Sequence, residues 1–142
     1  MSGVWPPNTI GVSAGFHDAG VSVINSNGDI LFAAHSERYS RIKNDPNLNQ
    51  DIIDEALSYG NYGTVAWYER PWLKKTRQMY SGEWSKIFRD KSPKQHLAEV
   101  GITRPIKTYS HHLSHAAAGF QTSPFEKAVV VVIDAIGEWD TY

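Results

Sequence analysis

Apolar and polar residues alternate through the first third of the chain in a pattern that predicts three short strands. Apolar stretches occupy residues 10–13, 21–24 and 30–34, and turn-forming residues separate them. Between the second and third stretches, Asn27 and Gly28 form the pair that best supplies the positive φ of a tight hairpin. The three strands are therefore predicted to form an antiparallel meander.

Helices and strands alternate after this meander. The sequence NDPN breaks the chain at residues 44–47. Apolar residues at helical spacing then predict helices at 50–59, 95–100 and 111–120, and β-rich runs predict strands at 64–68, 106–109 and 128–133. Gly60 and Gly101 stand where the first two helices should end, Ser110 is a candidate N-cap for the third, and Pro124 follows its end. The last run is continuously apolar, which is typical of a buried strand.

The order of these elements predicts an α/β fold. Three antiparallel strands, a helix, a strand, a helix and a new strand make up a ribonuclease-H-like subdomain, the unit that is duplicated in the actin-like ATPase (ASKHA) fold. On this interpretation, residues 128–133 open the second copy of the unit. We therefore expect residues 1–142 to be the N-terminal part of one such domain, truncated soon after its second half begins.

Composition excludes several classes of protein. The 142 residues have a formal net charge of -1, which provides no general field for nucleic acid or an anionic membrane. Cysteine is absent, so disulfides, thiolate metal ligands and cysteine nucleophiles are excluded. The N-terminal sequence does not resemble a signal peptide, and the longest apolar run is too short to span a bilayer. We expect a cytoplasmic protein without a membrane partner.

The sequence HHLSH at residues 111–115 begins the third predicted helix. His111 and His115 are four residues apart, so they share one helix face, as two imidazoles that bind one ion would. His112 and His115 are three apart and could share a face too, so spacing does not choose the pair. Asp134, at the end of the apolar run, would complete a donor set suited to iron, zinc or manganese. Capping or hydrogen-bonded histidines explain the spacing equally well.

The sequence GFHDAG at residues 15–20 connects the first two predicted strands. Gly15 would let backbone N–H groups approach a phosphate or another anion closely. His17 and Asp18 would then lie beside that ligand, where an acid or base is useful. Taken alone, a plain hairpin turn is the better interpretation.

Two further segments combine an apolar strand with polar residues at its end. SERYSRIKND at residues 36–45 carries basic side chains that could meet a phosphate or carbonyl oxygen, although a solvated loop explains them as well. DAIGEWDT at residues 134–141 has the form of a second phosphate-facing turn around Gly137, or of an ordinary hairpin.

The order of these segments along the chain resembles one enzyme family. GFHDAGVSVI, SERYSRIKND, HHLSHAAAGFQTSPF and VVVVIDAIGEWDT together resemble the carbamoyltransferases of nodulation and antibiotic biosynthesis, the NodU/TobZ type. The resemblance runs from about residue 10 to residue 141 and is weak near 69–100. HHLSHAA and DAIGEWDT are its most diagnostic parts.

The resemblance implies an N-terminal Kae1-like domain with the actin-like ATPase fold. In the family, a second, YrdC-like domain makes carbamoyl-adenylate from carbamoyl phosphate and ATP. The Kae1-like domain then passes the carbamoyl group to an acceptor hydroxyl near an iron ion. Carried over by position, the metal ligands are His111, His115 and Asp134, the general base is His17, and Lys43 contacts the carbamoyl-adenylate. The two glycine turns add Gly15, Asp18 and Gly137 to the expected substrate- or nucleotide-binding residues.

The sequence departs from the family pattern at two positions and at its end. Ser36 and Glu37 stand where the family has an acidic pair, and Ala135 replaces a usual glycine, which narrows the space beside the ligand by one methyl group. The chain ends before the family's further metal and nucleotide residues. We therefore expect half of a site, inactive by itself, in a part of a longer protein or in a naturally short relative.

Basic and aromatic residues are interleaved between residues 69 and 95, a combination that can bind nucleic acid. A carbamoyltransferase that acts on a modified nucleoside would fit this segment. Because the overall charge is near neutral, we favour an insertion that packs its aromatic side chains on the core. The acceptor hydroxyl then belongs to a small molecule or a modified nucleoside, nucleic acid is the less favoured partner, and the identity of the acceptor is open.

Two other classes of protein remain. One is a different enzyme of the same fold, such as a sugar-kinase-like enzyme or a tRNA threonylcarbamoyl transferase, which usually lacks the combination of HHLSHAA with GEWDT. The other is a non-catalytic ATPase-fold domain that only binds a partner. A stoichiometric metal ion in the purified protein would favour the enzyme.

Overall fold

The chain forms a mixed α/β fold in residues 7–15, 18–71 and 91–133, the ranges that the computed structural model describes. The strands are β1 (Asn8–Ser13), β2 (Gly20–Ile24), β3 (Ile30–His35), β4 (Tyr62–Trp67) and β5 (Ile106–Thr108). The helices are α1 (Glu37–Ser40), α2 (Gln50–Ser58), α3 (Pro93–Glu99) and α4 (His111–Gln121).

The described chain divides into two compact units. The first contains the described residues up to 67 together with 91–107, and it holds β1 to β4 with α1, α2 and α3. The second contains 68–71 and 108–133, and it holds α4.

The five strands form one mixed sheet in the order β3-β2-β1-β4-β5. β1 pairs antiparallel with β2, and β2 pairs antiparallel with β3, so the predicted meander is confirmed. β4 pairs parallel with β1, which requires the chain to cross over from β3 through α2. β1, β3 and β4 therefore run toward the same edge of the sheet.

Alternate residues of the strands make one buried apolar face. Ile10 of β1 lies opposite Val23 of β2 on one side and Val65 of β4 on the other, and all three are at most 1% exposed. α2 packs against β2 and β3 and buries Ile52 and Ile53 completely. The apolar side chains that recur with period 2 in the strands and with period 3.6 in α2 thus pack in one core.

Side-chain caps explain where the helices begin. The Asn49 side chain accepts a hydrogen bond from the backbone N–H of Ile52 at the start of α2. Ser92 and Gln95 form a capping box at the start of α3, with Pro93 at its first turn. Gly60 and Gly101 follow α2 and α3 with φ of +116° and +75°, in agreement with the predicted helix ends.

The prediction that residues 128–133 form a buried strand is wrong. These residues lie in no strand or helix, and Val129, Val131 and Ile133 are 93%, 75% and 91% exposed. β-branched residues become a strand only where a neighbouring strand receives their backbone hydrogen bonds. The described part of the chain places no such neighbour beside this run.

The sequence also did not indicate the one-turn helix α1. Ser36 precedes it without a side-chain capping hydrogen bond, and Arg41 ends it with φ of +61°. The hydroxyl of Tyr39 donates a hydrogen bond to the Glu55 carboxylate, which ties this turn to α2. A tertiary contact therefore supports the turn in place of local capping.

In the portion that the structure describes, no helix combines the length and the apolar character needed to cross a bilayer.

Replacing a buried leucine should destabilise the protein far more than replacing an exposed one. We expect Leu97→Ala, at a side chain 1% exposed, to lower the free energy of unfolding by about 2–5 kcal/mol. Leu113→Ala, at a side chain 57% exposed, should change it by less than about 0.5 kcal/mol. Urea denaturation checks both, and equal losses would contradict the placement of the core.

Tyr39 should make stability fall at alkaline pH. Burial and the adjacent Glu55 carboxylate raise the pKa of Tyr39 from 10.0 to about 12. Because the folded state favours the protonated phenol, its stabilisation is complete below the unfolded pKa and is lost as the pH rises from about 10 toward 12.

We expect Tyr39→Phe to remove this part of the alkaline decline in the free energy of unfolding, measured by urea denaturation at several pH values. Tyr109→Phe is the control, since Tyr109 is 42% exposed on another segment. A decline that is identical in the wild type and in Tyr39→Phe would show that the Tyr39–Glu55 hydrogen bond has no such role.

Candidate functional site

The turn after β1 lies at the sheet edge toward which β1, β3 and β4 run. Gly15 has φ of +88°, a conformation that glycine adopts without steric penalty. Its N–H donates to the carbonyl of Pro46 (2.8 Å), and the N–H of Ala19 donates to the carbonyl of Asp45 (2.8 Å). The loop after β3 therefore holds both ends of the turn.

Asp45 is a buried carboxylate in this loop. It is 5% exposed, and its Oδ1 accepts hydrogen bonds from the backbone N–H of Asn47 (3.0 Å) and from its side-chain amide (3.3 Å). Hydrogen bonds from the Ser40 hydroxyl and from Asn47 lower the pKa of Asp45, although burial opposes them. The group is thus an ionised acceptor that fixes the backbone around it.

Left-handed backbone conformations concentrate in the same two loops. Among the described residues, the non-glycine residues with positive φ are Asp18, Arg41 and Asn44, at +51°, +61° and +56°. Lys43 is exposed beside the last of them. Non-glycine residues in this conformation are uncommon and cluster where the surrounding structure imposes them, often at ligand sites.

The side chain of His96 of α3 packs against the turn at Gly15. A Cβ atom built on Gly15 would lie 2.8 Å from Nε2 of His96, so the site has no room for a side chain at residue 15. The His96 ring is 8% exposed and stacks on Trp67 at the end of β4, with centroids 5.8 Å apart. Gly15 is therefore required both by its φ and by close packing.

In the second unit, hydrogen bonds of serine residues define the start of α4. The Ser110 hydroxyl accepts the N–H of Leu113 (3.2 Å), which confirms Ser110 as the N-cap. The Ser114 hydroxyl donates to the carbonyl of Tyr68 (2.9 Å), which ties the helix to the segment after β4. These contacts fix the first turns of α4, where the histidines lie.

The structure brings His111 and His115 together. Their Nε2 atoms are 3.1 Å apart, and the rings are perpendicular with centroids 4.6 Å apart. This is also the separation of a hydrogen bond in which the N–H of one ring donates to the nitrogen of the other. The His112 ring lies edge-on to His111, with centroids 6.1 Å apart. The pair is thus compatible both with hydrogen-bonded histidines and with two ligands of one ion, the two interpretations that the sequence left open.

The remaining predicted site residues lie outside the described residues. Asp134, the third predicted ligand, is one of them, together with His17 and Gly137. Within the described ranges, no cluster of three or more His, Cys, Asp or Glu side chains could hold a metal ion. The complete ligand set, and the prediction that Gly15 and Asp18 face the histidine pair, stay predictions.

Sequence reasoning missed Asp45 and His96. Asp45 belongs both to the quoted segment SERYSRIKND and to the overlapping NDPN, which indicated only a chain break. An Asp before Pro is a local signal for a turn in which the carboxylate accepts the backbone N–H two residues on, as Asp45 does here from Asn47. His96 has no comparable signal, because its role depends on the packing of α3 near β4.

The chain is similar over most of its length to longer proteins. It is 28% identical over 160 residues to the uncharacterized protein sll1178 of Synechocystis sp., an alignment that covers 93% of this chain and 26% of that protein. It is 28% identical over 148 residues to the nodulation protein NolNO of Sinorhizobium fredii, an alignment that covers 94% of this chain and 21% of that protein. It is 24% identical over 189 residues to the uncharacterized protein MJ1058 of Methanocaldococcus jannaschii, an alignment that covers 92% of this chain and 31% of that protein. The chain thus spans between a fifth and a third of the length of these curated relatives.

A protein-family model matches the half of the chain that contains α3, β5 and α4. The model is described as carbamoyltransferase N-terminus, and it covers residues 71–142. His111 and His115 both lie within this match, as does Asp134. The chain therefore belongs to the carbamoyltransferase N-terminus family.

Proposed function

We propose that this chain is the N-terminal part of an ATP-dependent O-carbamoyltransferase, which transfers a carbamoyl group from carbamoyl-adenylate to an acceptor hydroxyl. One observation carries the proposal. The half of the chain that matches the family contains His111 and His115, whose Nε2 atoms converge to 3.1 Å. Nitrogen ligands at this separation suit a divalent metal ion.

The order and direction of the strands support the proposed ribonuclease-H-like subdomain of the actin-like ATPase (ASKHA) fold. Three antiparallel strands precede a crossover through α2 to β4, which is parallel to β1. We propose that the second lobe of this Kae1-like domain and a YrdC-like adenylating domain belong to a longer protein. That protein would use carbamoyl phosphate and ATP in the cytoplasm.

The turn at Gly15 is the proposed binding surface for carbamoyl-adenylate. With no room for a side chain at residue 15, a ligand at this turn would meet backbone groups directly. Asp18, Lys43 and Gly137 are the other proposed contacts. The exposed ammonium group of Lys43 would offset phosphate charge.

His17 is the proposed general base. It would accept the proton of the acceptor hydroxyl while the acceptor oxygen forms a bond to the carbamoyl carbon. The bond between that carbon and the phosphate oxygen would break, and AMP would leave with the electron pair. Proton removal of this kind contributes about 10²–10⁴-fold to a rate.

His111, His115 and Asp134 are the proposed ligands of a divalent ion, which we propose to be iron. When bound, the ion would supply Lewis-acid polarisation of the carbamoyl carbonyl. The acceptor is proposed to be a small molecule or a modified nucleoside. Most of the basic and aromatic segment 69–95 lies outside the described residues.

Metal binding by the 142-residue chain tests the histidine pair. We expect anaerobic titration with Fe²⁺, followed by calorimetry, to show about one ion per chain. His111→Ala and His115→Ala should each weaken binding by at least about tenfold, because each removes a ligand nitrogen. Binding should also weaken as the pH is lowered, since protons compete for the same Nε2 atoms.

His112→Ala is the matched control and should change the affinity by less than about threefold, because its loss leaves both proposed ligand nitrogens in place. If it weakens binding as much as His115→Ala does, the ligand assignment is wrong. If the wild-type chain binds no ion, a non-catalytic binding domain becomes the better interpretation.

The longer protein should carry out the transfer, and this chain alone should not. We expect the longer protein, supplied with carbamoyl phosphate, ATP and a panel of hydroxyl acceptors, to form AMP and a product heavier by one carbamoyl group, detected by mass spectrometry. His17→Ala should slow product formation by about 10²–10⁴-fold. AMP formation by the 142 residues alone would contradict the proposal that they hold only half of a site.

A further inference from the structure

The hairpin between β2 and β3 carries an asparagine in an unusual sequence context. Asn27 is the one asparagine of the chain that precedes a glycine. It lies in a turn that the backbone N–H of Gly28 closes by donating to the carbonyl of Asn25 (3.1 Å). Asn27 and Gly28 are both exposed, and a Cβ atom built on Gly28 would meet no described atom within 4 Å. Water and hydroxide can therefore reach this peptide unit.

The side chains of the two asparagines in this hairpin are held differently. Oδ1 of Asn25 accepts hydrogen bonds from the backbone N–H groups of Asn27 and Asp29, each at 2.9 Å. The Asn25 amide also donates to the Asp29 carboxylate (2.9 Å). In the contacts of the described residues, the Asn27 side chain makes no hydrogen bond. The Asn27 amide can thus rotate toward the backbone that follows it, whereas the Asn25 amide is held in the turn.

We propose that Asn27 is a site of spontaneous deamidation in the folded protein. The backbone nitrogen of Gly28 loses its proton to hydroxide and forms a bond to the side-chain carbonyl carbon of Asn27. The bond between that carbon and the amide nitrogen breaks, and ammonia leaves with the electron pair after taking a proton from water. Water then opens either carbonyl–nitrogen bond of the resulting succinimide, which leaves aspartate or isoaspartate at residue 27. Because Gly28 has no Cβ, nothing on the attacking residue hinders the approach.

One hydrogen bond opposes this reaction. The Gly28 nitrogen has to release its hydrogen bond to the Asn25 carbonyl before it can lose its proton and attack. That bond is exposed at the end of a hairpin, so local opening is sufficient and the sheet stays folded. Opening one such bond slows the reaction by about two- to tenfold, whereas a need for global unfolding would slow it by about 10³-fold or more.

The two products differ in their effect on the hairpin. Isoaspartate places one additional carbon in the main chain between β2 and β3, and the length of the loop sets the register of a hairpin. The buried pair Val23 and Phe32 lies close to this turn and depends on that register. We therefore expect the isoaspartyl form to unfold at lower urea concentration than the unmodified chain. Aspartate keeps the length of the loop and should have the smaller effect.

Ageing of the purified 142-residue chain at mildly alkaline pH tests the proposal. A synthetic peptide of residues 20–35 is the reference, because an isolated two-stranded hairpin is at best marginally stable in water. Mass spectrometry of digests should show aspartate and isoaspartate at residue 27 of the chain. The rate should be about two- to tenfold below that of the peptide. Asn25 should remain an amide in the same digests.

Two variants assign the reaction to this peptide unit. Gly28→Ala should slow deamidation, since its methyl group hinders the approach of the nitrogen, and the peptide with the same change carries this comparison if the variant chain fails to fold. Asn27→Ser lacks the reacting amide, so the ageing chain with this change should not lose stability through this site.

Three outcomes would overturn the proposal. A rate about 10³-fold or more below that of the peptide would mean that the reaction requires global unfolding. Deamidation of Asn25 as fast as that of Asn27 would show that the contacts in the turn do not select the site. A rate that Gly28→Ala leaves unchanged, in the chain and in the peptide, would exclude attack by the Gly28 nitrogen.

Discussion

Strand β1 pairs parallel with β4 on one side and antiparallel with β2 on the other, and these pairings decide where the loops of the first unit meet. β1, β3 and β4 end at the same edge of the sheet. The turn after β1, the loop after β3 and Trp67 at the end of β4 are consequently neighbours. Crevices at the carboxyl ends of parallel strands are where α/β sheets commonly bind ligands. The glycine turn is thus a candidate ligand site because of strand direction, in addition to its composition.

At this end of the sheet, the turn after β1 and the loop after β3 are joined by hydrogen bonds that lie outside the strand pairing. The backbone N–H groups of Gly15 and Ala19 have no strand partner, and the carbonyls of Pro46 and Asp45 satisfy them. In the same loop, the buried carboxylate of Asp45 accepts hydrogen bonds from the backbone and the side chain of Asn47. A buried charge is stable only when hydrogen bonds replace its lost water, so the loop has little freedom to rearrange.

The buried core and the histidine pair depend on different kinds of interaction. The buried apolar side chains of the described residues all lie in the first unit, whereas α4 has no buried residue. α4 is instead supported by its Ser110 cap, by the hydrogen bond from Ser114, and by a run of alanines with high helix propensity. The backbone of α4 alone brings His111 and His115 close, because residues four apart face each other across one turn.

The sequence by itself determined the type and approximate ends of most elements, since these depend on local periodicity and on nearby caps such as Asn49, Ser92 and Ser110. It also narrowed the histidine choice to two pairs. Tertiary structure decided the rest: the parallel pairing of β1 with β4 and the burial of Asp45 and His96. Residues 128–133 illustrate the same limit of prediction from local sequence. Their β-branched composition favours a strand, but a strand forms only where a partner supplies hydrogen bonds, and a partner is chosen by contacts between residues far apart in the chain.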